Sequence, residues 1–186
     1  HAQLIDFGRC RLNRMASPFL IQKDMATLFF GFGNKDRQDD GVAWHVLNGL
    51  SVALGNPATA EIAEDFAQTS EPALVFQLQL MPEQSEFIAA YDRICFIDAH
   101  TGAFPEDIRC QPVVQHYQRS PLTHHLSPES LLSITNTIYK KSPEAILLSI
   151  RGYKFGFTQT LSDQTQRLVP QAVDILLDWL NQKSSA

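Results

Sequence analysis

The stretch Thr27-Leu28-Phe29-Phe30-Gly31-Phe32-Gly33-Asn34-Lys35-Asp36-Arg37-Gln38-Asp39-Asp40-Gly41 decides the fold. Its first half is a short apolar run closed by glycines, the pattern of a buried strand ending in a tight turn, because glycine reaches backbone angles closed to other residues. Beyond the acidic pair, the residues from Val42 to Leu50 repeat apolar positions near a period of 3.6, and Gly55-Asn56-Pro57 stops them. Strand, loop and helix follow in that order.

The same alternation continues downstream. Residues from Leu74 to Leu80 alternate well enough for a second strand, and Pro82 to Ala90 carries proline and acids at its start, as a helix N-terminus does. Arg93 to Ala99 is apolar on both faces until Asp98, the pattern of a central strand covered by helices on each side. A weaker fourth strand is expected over Val113 to Tyr117. Ser127-Pro128-Glu129 supplies an N-cap, a first-turn proline and an early acid, opening a helix that ends near Lys141. Glu144 to Ile150 reads as another strand, and Ser162 to Leu180 as one amphipathic helix. Between Pro57 and Pro72 the pattern is weak, and a helix from Thr59 to Gln68 with Ile62 and Phe66 inward is one reading. Alternating strands and helices imply a three-layer α/β/α sandwich with a mostly parallel, twisted sheet of about five strands. Residues 1–24 show no clear period and read as an N-terminal extension or vector-derived segment; residues 25–186 form a single domain.

Composition narrows the function. With 44% hydrophobic residues the 186-residue chain can bury a core unaided, and its net charge of -5 creates no positive field for a phosphate backbone, so nucleic acid is not expected as a partner. No apolar run is long enough to insert in a membrane. Three cysteines, Cys10, Cys95 and Cys110, are odd in number and widely spaced, which fits a reducing cytoplasm better than a disulfide framework. Cys95 lies in mid-strand, where a thiol is inert, and Cys110 near His116 is a weak candidate nucleophile.

The glycine turn admits three readings. As a dinucleotide fingerprint it lacks the third glycine, has Asp36 in its place, and adds Asp39 and Asp40, which repel a pyrophosphate. As a helix start, the two acids are favourable caps worth about 0.3–1 kcal/mol each. As a ligand-bearing loop, they join other carboxylates at the ends of strands. Other catalytic patterns fail: the chain has no Gly-x-Ser-x-Gly elbow, no His-Glu-x-x-His helix and no phosphate loop ending in Lys-Ser or Lys-Thr.

Gly31-Phe32-Gly33-Asn34, four residues, then Asp39-Asp40-Gly41 resembles the signature of the nickel-iron hydrogenase maturation proteases. Further stretches resemble that family in the same order: Gln79 to Glu86, Asp92 to Ala99, His124-His125-Leu126-Ser127-Pro128, and Arg151 to Phe157 followed by Leu161-Ser162. The resemblance covers about Thr27 to Leu180. Lys35, Asp36, Arg37 and Gln38 make the loop more charged than is usual there, and Ala43 stands where glycine is common.

The resemblance implies a metal site of two carboxylates and a histidine: Asp40, Glu86 and His124, with Glu83 and His125 as rivals for the second and third places. Asp39 or Asp98 would orient a water, making Asp40, Asp39 and Asp98 the candidate catalytic acids. The fold agrees, because open α/β sheets bind ligands beyond the carboxyl ends of their strands, where Asp40, Glu86, His124 and Asp98 are all expected. Each has a plainer explanation taken alone: Glu86 as a solvated helix acid, Asp98 as a loop cap, His124 as a histidine bonded to its own loop. Mixed oxygen and imidazole ligands suit nickel, zinc and similar ions, and the choice of nickel rests on the resemblance.

By the same resemblance, the activity is removal of the C-terminal extension from a hydrogenase large-subunit precursor, in the cytoplasm. The nickel would arrive with that substrate, and cadmium or zinc would occupy the site in vitro. The competing functions are a non-catalytic hydrogenase assembly module on the same fold, and a nucleotide-binding domain.

Overall fold

The computed structural model describes residues 25–57, 62, 71–115 and 126–182. Strands β1 (Thr27–Phe32), β2 (Ala73–Gln77), β3 (Arg93–His100), β4 (Ile108–Pro112) and β5 (Glu144–Arg151) form one sheet in the order β2-β1-β3-β5-β4. All neighbours are parallel except β4, which runs antiparallel to β5 at the edge. Helices α1 (Val42–Ala53), α2 (Gln84–Ile88), α3 (Pro128–Tyr139), α4 (Asp163–Gln166) and α5 (Val169–Asn181) complete the described elements.

Two cores, one on each face, make the three layers. Phe29, Cys95, Ile97 and Leu148 face α1 and α5, meeting Leu47, Leu50, Leu176 and Trp179. Leu28, Phe30, Ile94 and Phe96 face α2 and α3, meeting Ile88, Leu131 and Leu132. Central strands buried on both sides need apolar residues at successive positions, which is why β1 and β3 lack polar alternation. The sandwich expected from the sequence is the one observed.

Three details differ from expectation. The fourth strand is Ile108–Pro112, ahead of the expected Val113 to Tyr117. It is an edge strand, only partly buried, so it carries Arg109, Gln111 and Pro112 in place of an apolar run. The C-terminal helix is broken after Gln166, since Pro170 lacks the N–H that a continuous helix needs and instead opens α5. The second strand stops at Gln77, leaving Leu78 exposed. Within the indistinct region, Ile62 is buried in the α1/α5 core as expected; the rest of the helix read over residues 59–68 lies outside the described residues.

Arg93 fastens α5 to the sheet. Its guanidinium donates to the carbonyls of Trp179 (2.9 Å) and Gln182 (3.0 Å) and lies 4.1 Å from the Trp179 ring centroid. The last carbonyls of a helix otherwise lack donors, so a buried cation there completes the C-terminus.

Candidate active site at the carboxyl rim of the sheet

Beyond β1 the chain turns at Gly33, whose φ of +137° only glycine adopts without strain. The Gly33 N–H still bonds the Gln77 carbonyl at 3.1 Å, so the turn is tied to β2. Asn34 then makes two local bonds: its side-chain oxygen accepts the Asp36 N–H at 2.9 Å and its carbonyl accepts the Arg37 N–H at 2.9 Å. Residues Gln38–Gly41 form a single 3-10 turn that leads directly into α1. At its end Asp40 returns to the start of the loop, and its Oδ2 accepts the Asn34 N–H at 2.9 Å. That amide is the one a phosphate would use, so the closed turn is poorly suited to a dinucleotide.

The two acids behave differently although they are adjacent. Asp39 is fully buried. Its Oδ2 accepts the N–H groups of Tyr153 and Lys154, both at 2.8 Å, and the Ser162 hydroxyl at 2.7 Å. Its Oδ1 accepts the Ser162 N–H at 2.7 Å. Burial pushes the Asp39 pKa up, yet the bonds from Ser162, Lys154 and Tyr153 outweigh it and leave the pKa below the usual value. A carboxylate already accepting four bonds has little capacity left for a water or an ion. Asp40 is partly exposed and faces the rim.

Asp98 is the second carboxylate the structure brings to this place. It follows Ile97, which pairs with Gly31 of β1, so it stands beside the start of the acid loop, and the Gln38–Gly41 turn packs against β3. Its Oδ1 accepts the Ala99 N–H at 2.8 Å. Burial raises its pKa to about 7, against the lowering effect of that N–H, and the nearby charge of Asp40 adds to the rise. Asp98 therefore senses the charge of Asp40 across the β1–β3 boundary. Along β3, residues 94 and 96 point to the α2/α3 face, so by alternation Asp98 does too.

Glu86 sits in the first turn of α2 and is exposed, as is its rival Glu83 just before the helix. His124 and His125 lie outside the described residues. Strand β4 is antiparallel and ends at the amino rim, where the Val113 N–H bonds the Ala145 carbonyl. Helix α3 starts toward the carboxyl rim and runs from there to the amino rim. That helix ends at Tyr139, shortly before β5 starts at Glu144 on the amino rim, so it runs back along the sheet and its first residues lie toward the opposite rim. Ser127 caps it, accepting the Ser130 N–H at 3.3 Å.

Two of the six histidines are described. His45 on α1 is 3.0 Å from the Gln159 carbonyl through Nε2. His100 is buried; its Nδ1 accepts the Gly102 N–H, and its Nε2 has no hydrogen-bond partner. Among the described residues no three His, Cys, Asp or Glu side chains form a cluster able to hold a metal ion. Cys95 is buried in β3 and burial pushes its thiol pKa well up, as expected for an inert thiol.

The loop of residues 152–162, part of which carried the family resemblance but no site residue, packs against the acid loop. The Gln38 N–H bonds the Thr158 carbonyl at 2.8 Å, the Gly156 N–H bonds Gln38 Oε1 at 3.1 Å, and Gln159 Nε2 bonds Asp36 Oδ1 at 2.7 Å. Arg37 lies 4.6 Å from the centroid of the Phe157 ring, which is 86% exposed.

No protein-family model matches the chain, and no curated protein matches it by sequence. Solved structures do. The nickel-iron hydrogenase maturation protease HycI of Thermococcus kodakarensis matches with a TM-score of 0.60 at 17% identity, over 85% of this chain and 94% of that one. The hydrogenase maturating endopeptidase HybD of Escherichia coli matches with a TM-score of 0.57 at 15% identity, over 84% and 92%. A hydrogenase 2 maturation peptidase from a Thaumarchaeota archaeon matches with a TM-score of 0.52 at 19% identity, over 85% and 99%. Among the described residues, no helix is long and apolar enough to cross a membrane. The chain has the fold of the nickel-iron hydrogenase maturation proteases, carried almost end to end.

Proposed function

We propose that this protein is a hydrogenase maturation endopeptidase acting in the cytoplasm, which removes the C-terminal extension of a nickel-loaded large-subunit precursor. The observation that carries this reading is the meeting of Asp40 and Asp98 at the carboxyl rim, on a fold shared with proteases named for that task. A carboxyl whose pKa is raised by burial and by a neighbouring carboxylate, as that of Asp98 is beside Asp40, would be relieved by a cation between the two. Asp40 and Asp98 are the oxygen donors in this reading, with Asp98 taking the place first given to Glu86. His124 supplies the imidazole in this reading, as the sequence resemblance implies; His45 is engaged by the Gln159 carbonyl and His100 is buried.

The nickel is part of the substrate. An ion held by Asp40 and Asp98 would polarise a peptide carbonyl or lower the pKa of a water, which would supply a nucleophile without serine or cysteine. The protein's own work is to grip that ion through Asp40 and Asp98, to fix the scissile peptide beside it, and to keep the acid loop in one conformation while it does so.

Incubation with a nickel-loaded precursor, followed by mass measurement of the large subunit, tests the proposal. Loss of a C-terminal peptide that depends on Asp40 supports it. A precursor that stays intact while bound would identify an assembly module instead.

A further inference from the structure

The acidic pair divides its labour, and the four bonds on Asp39 leave it little room to orient a water, the role first given to it. We propose that Asp39 is a positioning residue which, with Ser162, locks the loop of residues 152–162 onto the acid loop and thereby fixes the carboxylate of Asp40. The inference deepens the peptidase reading and rests on it for the purpose of the lock, though the lock itself is visible without any metal.

Three observations carry it. Asp39 is fully buried and its two oxygens accept four bonds, from Tyr153, Lys154 and both donors of Ser162, residues more than a hundred positions away in the chain. The fit is tight: a Cβ on Gly152 would lie 3.0 Å from the Asp39 Cβ. Finally, Gln38 has a φ of +55°, in the left-handed region where a side chain is strained. It is held there by backbone contact with Thr158 and by Gly156 on its side chain. Nearby structure must over-determine such a conformation for it to persist. The Asp39 bonds supply that determination one residue away, and Asp40 follows directly.

An amide at residue 39 can accept with one oxygen only and would set an N–H against donors already in place. Ser162→Ala removes the hydroxyl bond to Asp39, together with the cap on the Thr165 N–H of α4, and leaves the Ser162 backbone bond to Asp39 possible. The Asn34 amide reports on Asp40 directly, because the Asp40 carboxylate accepts its hydrogen bond. In Asp39→Asn and Ser162→Ala, hydrogen exchange at Asn34 is expected to accelerate by about tenfold or more, with helices α1 and α3 still protected. Cadmium affinity, measured by calorimetry, is expected to fall by at least about tenfold, as when a supporting group of a metal ligand is lost. The double variant Asp39→Asn/Asp40→Asn should bind cadmium no more weakly than Asp40→Asn alone, because Asp39 acts through Asp40.

Unchanged Asn34 exchange in either folded single variant overturns the proposal, as does a loss of affinity that adds to that of Asp40→Asn. Should Asp39→Asn fail to fold, Ser162→Ala decides by the same readouts. If the parent protein binds no cadmium and leaves the precursor intact, the peptidase reading fails, while Asn34 exchange still decides whether the lock exists.

Discussion

Gly33 and Asp40 pack backbone against backbone: a Cβ placed on Gly33 would overlap the Asp40 carbonyl oxygen. The contact closes the acid loop at its neck, and the bond from the Asn34 N–H to Asp40 seals it one residue further on. Gly33→Ala therefore meets both a positive φ and a backbone collision. Unfolding in urea is expected to show a loss of about 3 kcal/mol or more, with the surviving folded protein deficient in cadmium binding. Parent-like stability would mean that the loop opens easily and that its closure is not what places Asp40.

Asp98 makes the metal-free protein sensitive to pH. Its carboxyl holds a proton in the folded state up to about pH 7, whereas the unfolded chain releases it near the ordinary value of 3.8. Between those values the folded state binds more protons than the unfolded state, so this group's contribution to stability falls as pH rises and then levels off. Asp98→Asn removes that dependence. Thermal melts without metal should show the variant gaining most over the parent at pH 8 and little at pH 4. An equal difference at both pH values would show that Asp98 is not the group responsible.

Much of this architecture could be read from the sequence because its signals are local. The apolar runs of β1 and β3, the Ser127-Pro128 start of α3 and the glycine turn each declare themselves within a few residues. What could not be read depends on neighbours in space. The strand order brings β1 beside β3 and so Asp98 beside Asp40, and no single stretch of sequence encodes that order. Glu86 matched the spacing of a second ligand but lies exposed on α2. Asp39 and Asp40 look equivalent in sequence; the bonds from Tyr153, Lys154 and Ser162 separate them. The fourth strand was expected a few residues too late, over Val113 to Tyr117, because an edge strand needs no apolar continuity to mark its bounds.

Arg93 links the first turn of β3 to the end of α5, and the link has a measurable strength. Arg93→Lys keeps the charge but loses the planar stack on Trp179 and one of two divergent donors to the helix carbonyls. Chemical denaturation should show a loss of about 2 kcal/mol, since hydrogen bonds from a charged group contribute roughly 1.5–3 kcal/mol each and lysine retains part of them. The acid loop lies at the other rim, so cadmium affinity in the folded variant should be unchanged. A Lys variant as stable as the parent would show that hydrophobic packing alone holds α5.

The choice between Asp98 and Glu86 as second carboxylate is decided by comparing variants at constant shape. Asp40→Asn and Asp98→Asn each replace an oxygen with an amide at a place where two carboxylates converge, so precursor processing should fall by about a hundredfold or more in both. Glu86→Gln alters an exposed helix position and should leave processing at the parental rate. His124→Ala should match the aspartate variants, and His125→Ala the glutamate one. The comparison needs single-turnover conditions with excess enzyme, so that a change in precursor binding is separated from a change in cleavage. Loss of cleavage in Glu86→Gln with retention in Asp98→Asn would restore the first assignment. It would also require α2 to move toward Asp40 when the precursor binds.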